Sequence, residues 1–186
     1  MKYQTDFEYK KEIQFAKMQE IEIDTVFENQ KVIVVNIDDQ PDFLKKRIGE
    51  MVVSIAFEAN VHEMMHRFIS FEKTVVWDYL DLENAGFYIK LGTNETYQIE
   101  LPDHSTASVS ADALSISVNV LVFERWCHLL YTSTNFDTSS EKCHLYHYGL
   151  LYNLQGLKDF AQYHAESKSI FNIVNAYKEC LEGNSL

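Results

Sequence analysis

Several things are scarce in this chain. Only 2 prolines and 6 glycines occur in 186 residues. That excludes collagen-like and low-complexity linker architectures. Cysteine is also rare: Cys127, Cys143 and Cys180 are an odd number, with no paired spacing of the kind that zinc modules use. They read as reduced thiols, the state expected of a cytoplasmic protein. No apolar run is long enough to cross a bilayer. The opening Met1-Lys2-Tyr3-Gln4-Thr5-Asp6 lacks the apolar segment of a secretory signal. The expectation is a cytoplasmic protein with no membrane partner. Basic residues are outnumbered, 16 against 28 acids, for a net charge of −12. Phosphate backbones are bound through Lys and Arg, so direct nucleic-acid binding is not expected. The acids form no run; residues 1–40 hold nine acids and five bases, so the excess is spread along the chain.

Aromatic residues are plentiful, with 11 Tyr and 12 Phe. A chain of this length and composition can bury the core of one ordinary domain. The reading is a single domain over 1–186, with residues 1–40 as an N-terminal hairpin extension and residues 41–181 as the core. The fold class expected is α+β: a three-stranded antiparallel meander packed against several helices.

Ile21 to Phe27 alternates apolar and acidic residues, as a half-buried strand does, and Lys31 to Ile37 is β-branched. With Glu28-Asn29-Gln30 as the turn, they make a hairpin. Asp42 is placed to cap a helix in which Leu44, Ile48, Met51, Ile55 and Ala59 recur at helical spacing to about Ile69. Gly49 lies within that pattern and can break or kink it. Thr74–Leu80, Phe87–Leu91 and Thr96–Leu101 read as the meander, ended by Pro102-Asp103-His104. Ser110 precedes a long apolar run, where its hydroxyl can accept from an N–H of a first helical turn. Asp112 falls in that turn, facing the positive end of the helix dipole. The helix from Ala111 to about Tyr131 is apolar on most sides, the mark of a buried central helix. Thr132–Glu141 is polar and reads as a surface loop. Further helices are expected over 143–154, 157–164 and 169–181.

One stretch looks catalytic. His62-Glu63-Met64-Met65-His66 matches H-E-x-x-H. Two histidines four apart on a helix can share a zinc ion, and the glutamate can act as base toward a metal-bound water. This is the alternative reading, a zinc-dependent hydrolase using His62, His66 and Glu63. Against it, both histidines fall within the apolar stripe of the helix, and Arg67-Phe68-Ile69-Ser70-Phe71 supplies no third histidine. The main reading therefore has no cofactor, no metal and no catalytic residue.

Four motifs, in order, resemble the ArdB/KlcA antirestriction family. Phe43-Leu44 followed by Ile48-Gly49 is similar to the family's Phe-Leu-Pro-Arg-x-Phe-Gly, with Lys45 at the proline position. Trp77-Asp78-Tyr79 followed by Asn84-Ala85-Gly86-Phe87-Tyr88 is similar to its Trp-x-aromatic and Asn-Gly-Gly-Phe-Tyr core, with Ala85 replacing one glycine. Ser110-Ala111-Asp112-Ala113 matches its helix opening. Phe160-Ala161-Gln162-Tyr163-His164 is similar to its C-terminal end. The resemblance covers about residues 35–180, and the family is not associated with H-E-x-x-H. It implies a protein of plasmids and other mobile elements that relieves type I restriction without being an enzyme. Its partner would be the type I restriction-modification system, met directly or indirectly. The motif residues that could form an interaction surface are Trp77, Asp78, Tyr79, Glu83, Asn84, Gly86, Phe87, Tyr88, Ser110 and Asp112, and the acids among them are the first to test.

Overall fold

A computed structural model describes residues 32–49, 51–70, 75–82, 86–132 and 141–183. The chain divides into two units, Met1–Gln30 and Lys31–Leu186, and every described residue lies in the second. The first strand expected of the hairpin, residues 21–27, and the polar loop at 133–140 lie outside the described residues, as do Glu83 and Asn84.

The architecture is α+β, as expected. Strand β1 (Val32–Val34) leads through a 3-10 turn into helix α1 (Gln40–Ile48) and helix α2 (Met51–Phe68). Strands β2 (Trp77–Leu82), β3 (Gly86–Leu91), β4 (Thr96–Glu100) and β5 (Thr106–Ser110) follow. Helices α3 (Ala111–Thr132), α4 (Glu141–Tyr163) and α5 (Ser167–Gly183) complete the chain. The helical pattern over 44–69 divides at Gly49, whose φ of 125° is open to glycine at little cost. Asp42 sits inside the first turn of α1 and is not its cap; Asp39 holds that position.

The strands are partnered differently from the expected meander. A three-stranded antiparallel sheet has the order β1-β2-β3, with Val34 opposite Leu80 and Tyr79 opposite Ile89. Val32–Val34 is thus a strand of the central sheet. β4 leaves the sheet and pairs with β5, Thr96 opposite Ser110. The reason lies in α3. The Asn119 side chain accepts from Ile89 N–H at 3.0 Å and donates to Ile89 C=O at 2.8 Å. Leu91 N–H donates to Ser115 Oγ at 3.1 Å. The backbone groups that a neighbouring strand would need are already satisfied by a helix. β4 therefore pairs with the segment after Pro102-Asp103-His104, which is the turn of a second hairpin and not the end of strand structure.

The helices expected over 143–154 and 157–164 are one helix, α4. Helix α3 is the axis of the core, with Ala113 to Val120 fully buried. Phe57, Phe87 and Phe123 meet around it, with ring centroids 4.6 to 5.8 Å apart, and tie α2 and β3 to α3.

Candidate functional site

Three of the resemblance motifs, far apart in sequence, converge on one seam. It lies where β3, the start of α3 and the α4–α5 turn meet. Alternation along β3 turns Tyr88 and Lys90 to the same face. Tyr88 OH donates to Asp112 Oδ1 at 3.0 Å, and Lys90 Nζ lies 3.6 Å from that oxygen. His164 Nε2 lies 3.3 Å from Asp112 Oδ2. Its other ring nitrogen, Nδ1, accepts from Glu166 N–H at 3.0 Å. That bond places the imidazole proton on Nε2, where it donates to Asp112. Glu166 accepts from Ser110 N–H at 3.1 Å and from the Ser110 hydroxyl. Ser110 Oγ in turn accepts from Ala113 N–H at 3.2 Å, the helix cap expected of it.

Asp112 is the hub. Burial works against its charge, but the His164 hydrogen bond, the Lys90 charge and the Tyr88 hydrogen bond outweigh it. They hold the carboxyl below its usual range. Burial first, then the neighbouring Asp112, pushes the Tyr88 phenol up, so it remains a donor. Asp78 is the cross-strand partner of Lys90, so register brings two of the three acids singled out in the sequence to either side of one lysine. The third, Glu83, lies outside the described residues.

The remaining motif residues that the structure describes have packing roles. Trp77 stacks on His62 of α2, centroids 4.1 Å apart and 20° between planes. Tyr79 OH donates to Glu58 of the same helix. A Cβ at Gly86 would lie 2.8 Å from Leu157 N and 2.9 Å from Gly156 C, so α4 approaches β3 closer than any side chain allows. Phe87 belongs to the aromatic core.

The H-E-x-x-H residues all lie on helix α2. His62 is turned onto Trp77, and burial, reinforced by His66 and opposed by Glu58, lowers its pKa. Glu63 is exposed and accepts from Arg67 at 2.9 Å. His66 is exposed one turn on. Among the described residues, no group of three or more His, Cys, Asp or Glu is arranged to hold a metal ion. Cys127 is buried in the core, and burial, with Glu124, pushes its thiol up to about 11.

Sequence reasoning passed over Lys90, Glu166, Ser115 and Asn119. A signal existed for the last two: polar residues four apart in an otherwise apolar helix face one neighbour, and here that neighbour is a strand edge.

A family model described as "Antirestriction protein" matches residues 73–175, more than half of the chain. The chain belongs to the antirestriction protein family. The family match takes in β2 to β5, α3, α4 and the start of α5, and hence the whole seam. His62, Glu63 and His66 fall outside it. The fold is also that of a solved structure from work on the KlcA and ArdB proteins, with a TM-score of 0.61 and 21% identity. The similarity covers 78% of this chain and 96% of that one. Those proteins are described as having a novel fold and antirestriction activity against type I DNA restriction systems in vivo but not in vitro. A search of curated protein sequences returned no match.

Proposed function

We propose that this antirestriction-family protein relieves type I restriction of incoming mobile-element DNA by inhibiting the restriction system, without itself catalysing a reaction. The observation that carries the reading is the family match over residues 73–175, which spans the Asp112 seam and leaves H-E-x-x-H aside. Two further features support it. The net charge of −12 disfavours direct competition for DNA, so the partner is the restriction system or a cellular component acting on it. Within the seam, the Ser110 proton goes to Glu166 while His164 faces Asp112, so the serine is not activated as a nucleophile by the histidine. The protein acts in the cytoplasm, where restriction takes place.

Efficiency of plating of unmodified phage on cells with an active type I system tests this. Expression of the full chain should raise plating well above the empty-vector level. A parallel host with a type II enzyme should show no relief. Equal plating with and without the protein across hosts carrying different type I systems would refute the reading.

A further inference from the structure

Helices α4 and α5 are joined by three residues, His164, Ala165 and Glu166. Two of the three tie this linker to the start of α3. His164 Nε2 lies 3.3 Å from Asp112 Oδ2, and the Glu166 carboxylate accepts from the N–H and the hydroxyl of Ser110. A further bond lies within the linker, where Glu166 N–H donates to His164 Nδ1 at 3.0 Å. It runs from a side chain to the N–H two residues on, as in an Asx turn, with an imidazole nitrogen in place of the carboxamide oxygen. The difference matters. An asparagine oxygen accepts at any pH, whereas Nδ1 accepts only while the ring is neutral.

We infer that His164 is a proton-operated clasp between the α4–α5 linker and the start of α3: when the ring takes up a proton on Nδ1 it releases the Glu166 N–H, and the Glu166 carboxylate turns from Ser110 to the new Nδ1–H. The two contacts of the ring respond in opposite senses. Toward Asp112, the imidazolium still donates from Nε2 and adds an ion pair. Asp112 is charged throughout, because its carboxyl is held below the usual range. Toward Glu166, two N–H groups would face each other, and that bond is lost. The His164 side chain is only 14% exposed, so its new N–H needs an acceptor from the protein. Phe160 lies beside the ring, centroids 6.3 Å apart, and Tyr88 OH and Lys90 Nζ on β3 face Asp112 as a donor and a cation. The carboxylate of the linker itself is that of Glu166. Once it turns, Ser110 keeps its cap bond to Ala113 N–H, but its own N–H and hydroxyl lose their acceptor. The end of β5 is then untied from the linker, while α3 holds His164 more firmly. The inference goes beyond restriction relief, and its test needs only the purified chain.

The test is NMR of the full-length, nitrogen-15-labelled protein, titrated from about pH 8 to about pH 5. The ring nitrogens of His164 report its tautomer and its proton uptake. Amide hydrogen exchange, corrected for the intrinsic effect of pH, reports the two bonds. At the upper end the ring should be the Nε2–H tautomer, with the Glu166 and Ser110 amides protected. As the ring takes up its proton, both amides should lose protection about tenfold, in step with the ring. The Ile89 and Leu91 amides, held by Asn119 and Ser115, should keep theirs, which separates a local release from general unfolding. His164→Asn supplies an acceptor that does not titrate, and in this variant the Glu166 amide should stay protected across the range. The wild-type readouts decide the matter by themselves if that variant does not fold. Four results would overturn the inference: an Nδ1–H tautomer at the upper end, a ring that stays neutral to the lower end, a ring that titrates while the Glu166 and Ser110 amides keep their protection, or the same loss at Glu166 in folded His164→Asn.

Discussion

Helix α2 and the Asp112 seam make opposite use of conspicuous residues. On α2, a contiguous match to a metalloprotease motif is engaged elsewhere: His62 packs on Trp77, and Glu63 sits in a surface pair with Arg67. At the seam, residues from 88 to 166 that form no contiguous motif are gathered around one carboxylate. Five residues in a row that look like chemistry are weak evidence, because helical spacing alone aligns two histidines. Distant segments that meet in one hydrogen-bonded chain are stronger evidence, because the fold must be specified in detail to bring them together. The residues that carry the family resemblance are, on this view, first of all what holds β3, α3 and the α4–α5 turn in register.

The contrast can be broken most severely at Asn119. Asn119→Leu would orphan the N–H and C=O of Ile89 in the core, a loss of about 3 kcal/mol or more. Chemical denaturation should show a large fall in midpoint, and a change under 1 kcal/mol would mean that the β3 edge is closed some other way. Gly86→Ala comes next. Its methyl would press on the backbone of α4 at Gly156 and Leu157, for about 1–3 kcal/mol read as a lowered Tm.

Asp112 sharpens the seam side of the comparison through pH. Its folded pKa lies below the unfolded value, so its contribution is present above the ordinary carboxylate range, near 3.9, and is lost as pH falls through the depressed folded value. The wild type should therefore lose stability in that acidic window, and Asp112→Asn should flatten that part of the profile. Matching acid-unfolding curves for the two proteins would remove Asp112 as the hub. On the α2 side the expected effect is smallest. Glu63→Ala removes one exposed i,i+4 pair and should change stability by less than about 0.5 kcal/mol, with restriction relief unchanged.

Much of this was legible in the amino-acid sequence. The central helix, the Ser110 cap, the break at Gly49 and the α+β class follow from periodicity and from residues with strong local preferences. What could not be read was decided by tertiary partners. Whether Thr96–Glu100 joins β3 depends on what else can satisfy the β3 edge, and the answer lies in two side chains more than twenty residues away, Ser115 and Asn119. The helix expected to stop at 154 runs on through Gly156, whose backbone packs against Gly86: a Cβ at Gly86 would lie 2.9 Å from Gly156 C. The seam was half visible. Tyr88, Ser110 and Asp112 stood out by motif, and strand alternation could have added Lys90, but nothing local ties them to His164 and Glu166 in a turn some fifty residues on.

The most direct test of the central claim is restriction relief per folded molecule for Asp112→Asn beside the wild type, with plating efficiency scaled to soluble, folded protein in the same cells. If the seam holds the fold together, the variant accumulates to a lower level but each folded molecule relieves restriction as well as the wild type does. If it accumulates as well as the wild type, folds and fails to relieve restriction, then Asp112 meets the partner itself, and the structural account of the seam is contradicted.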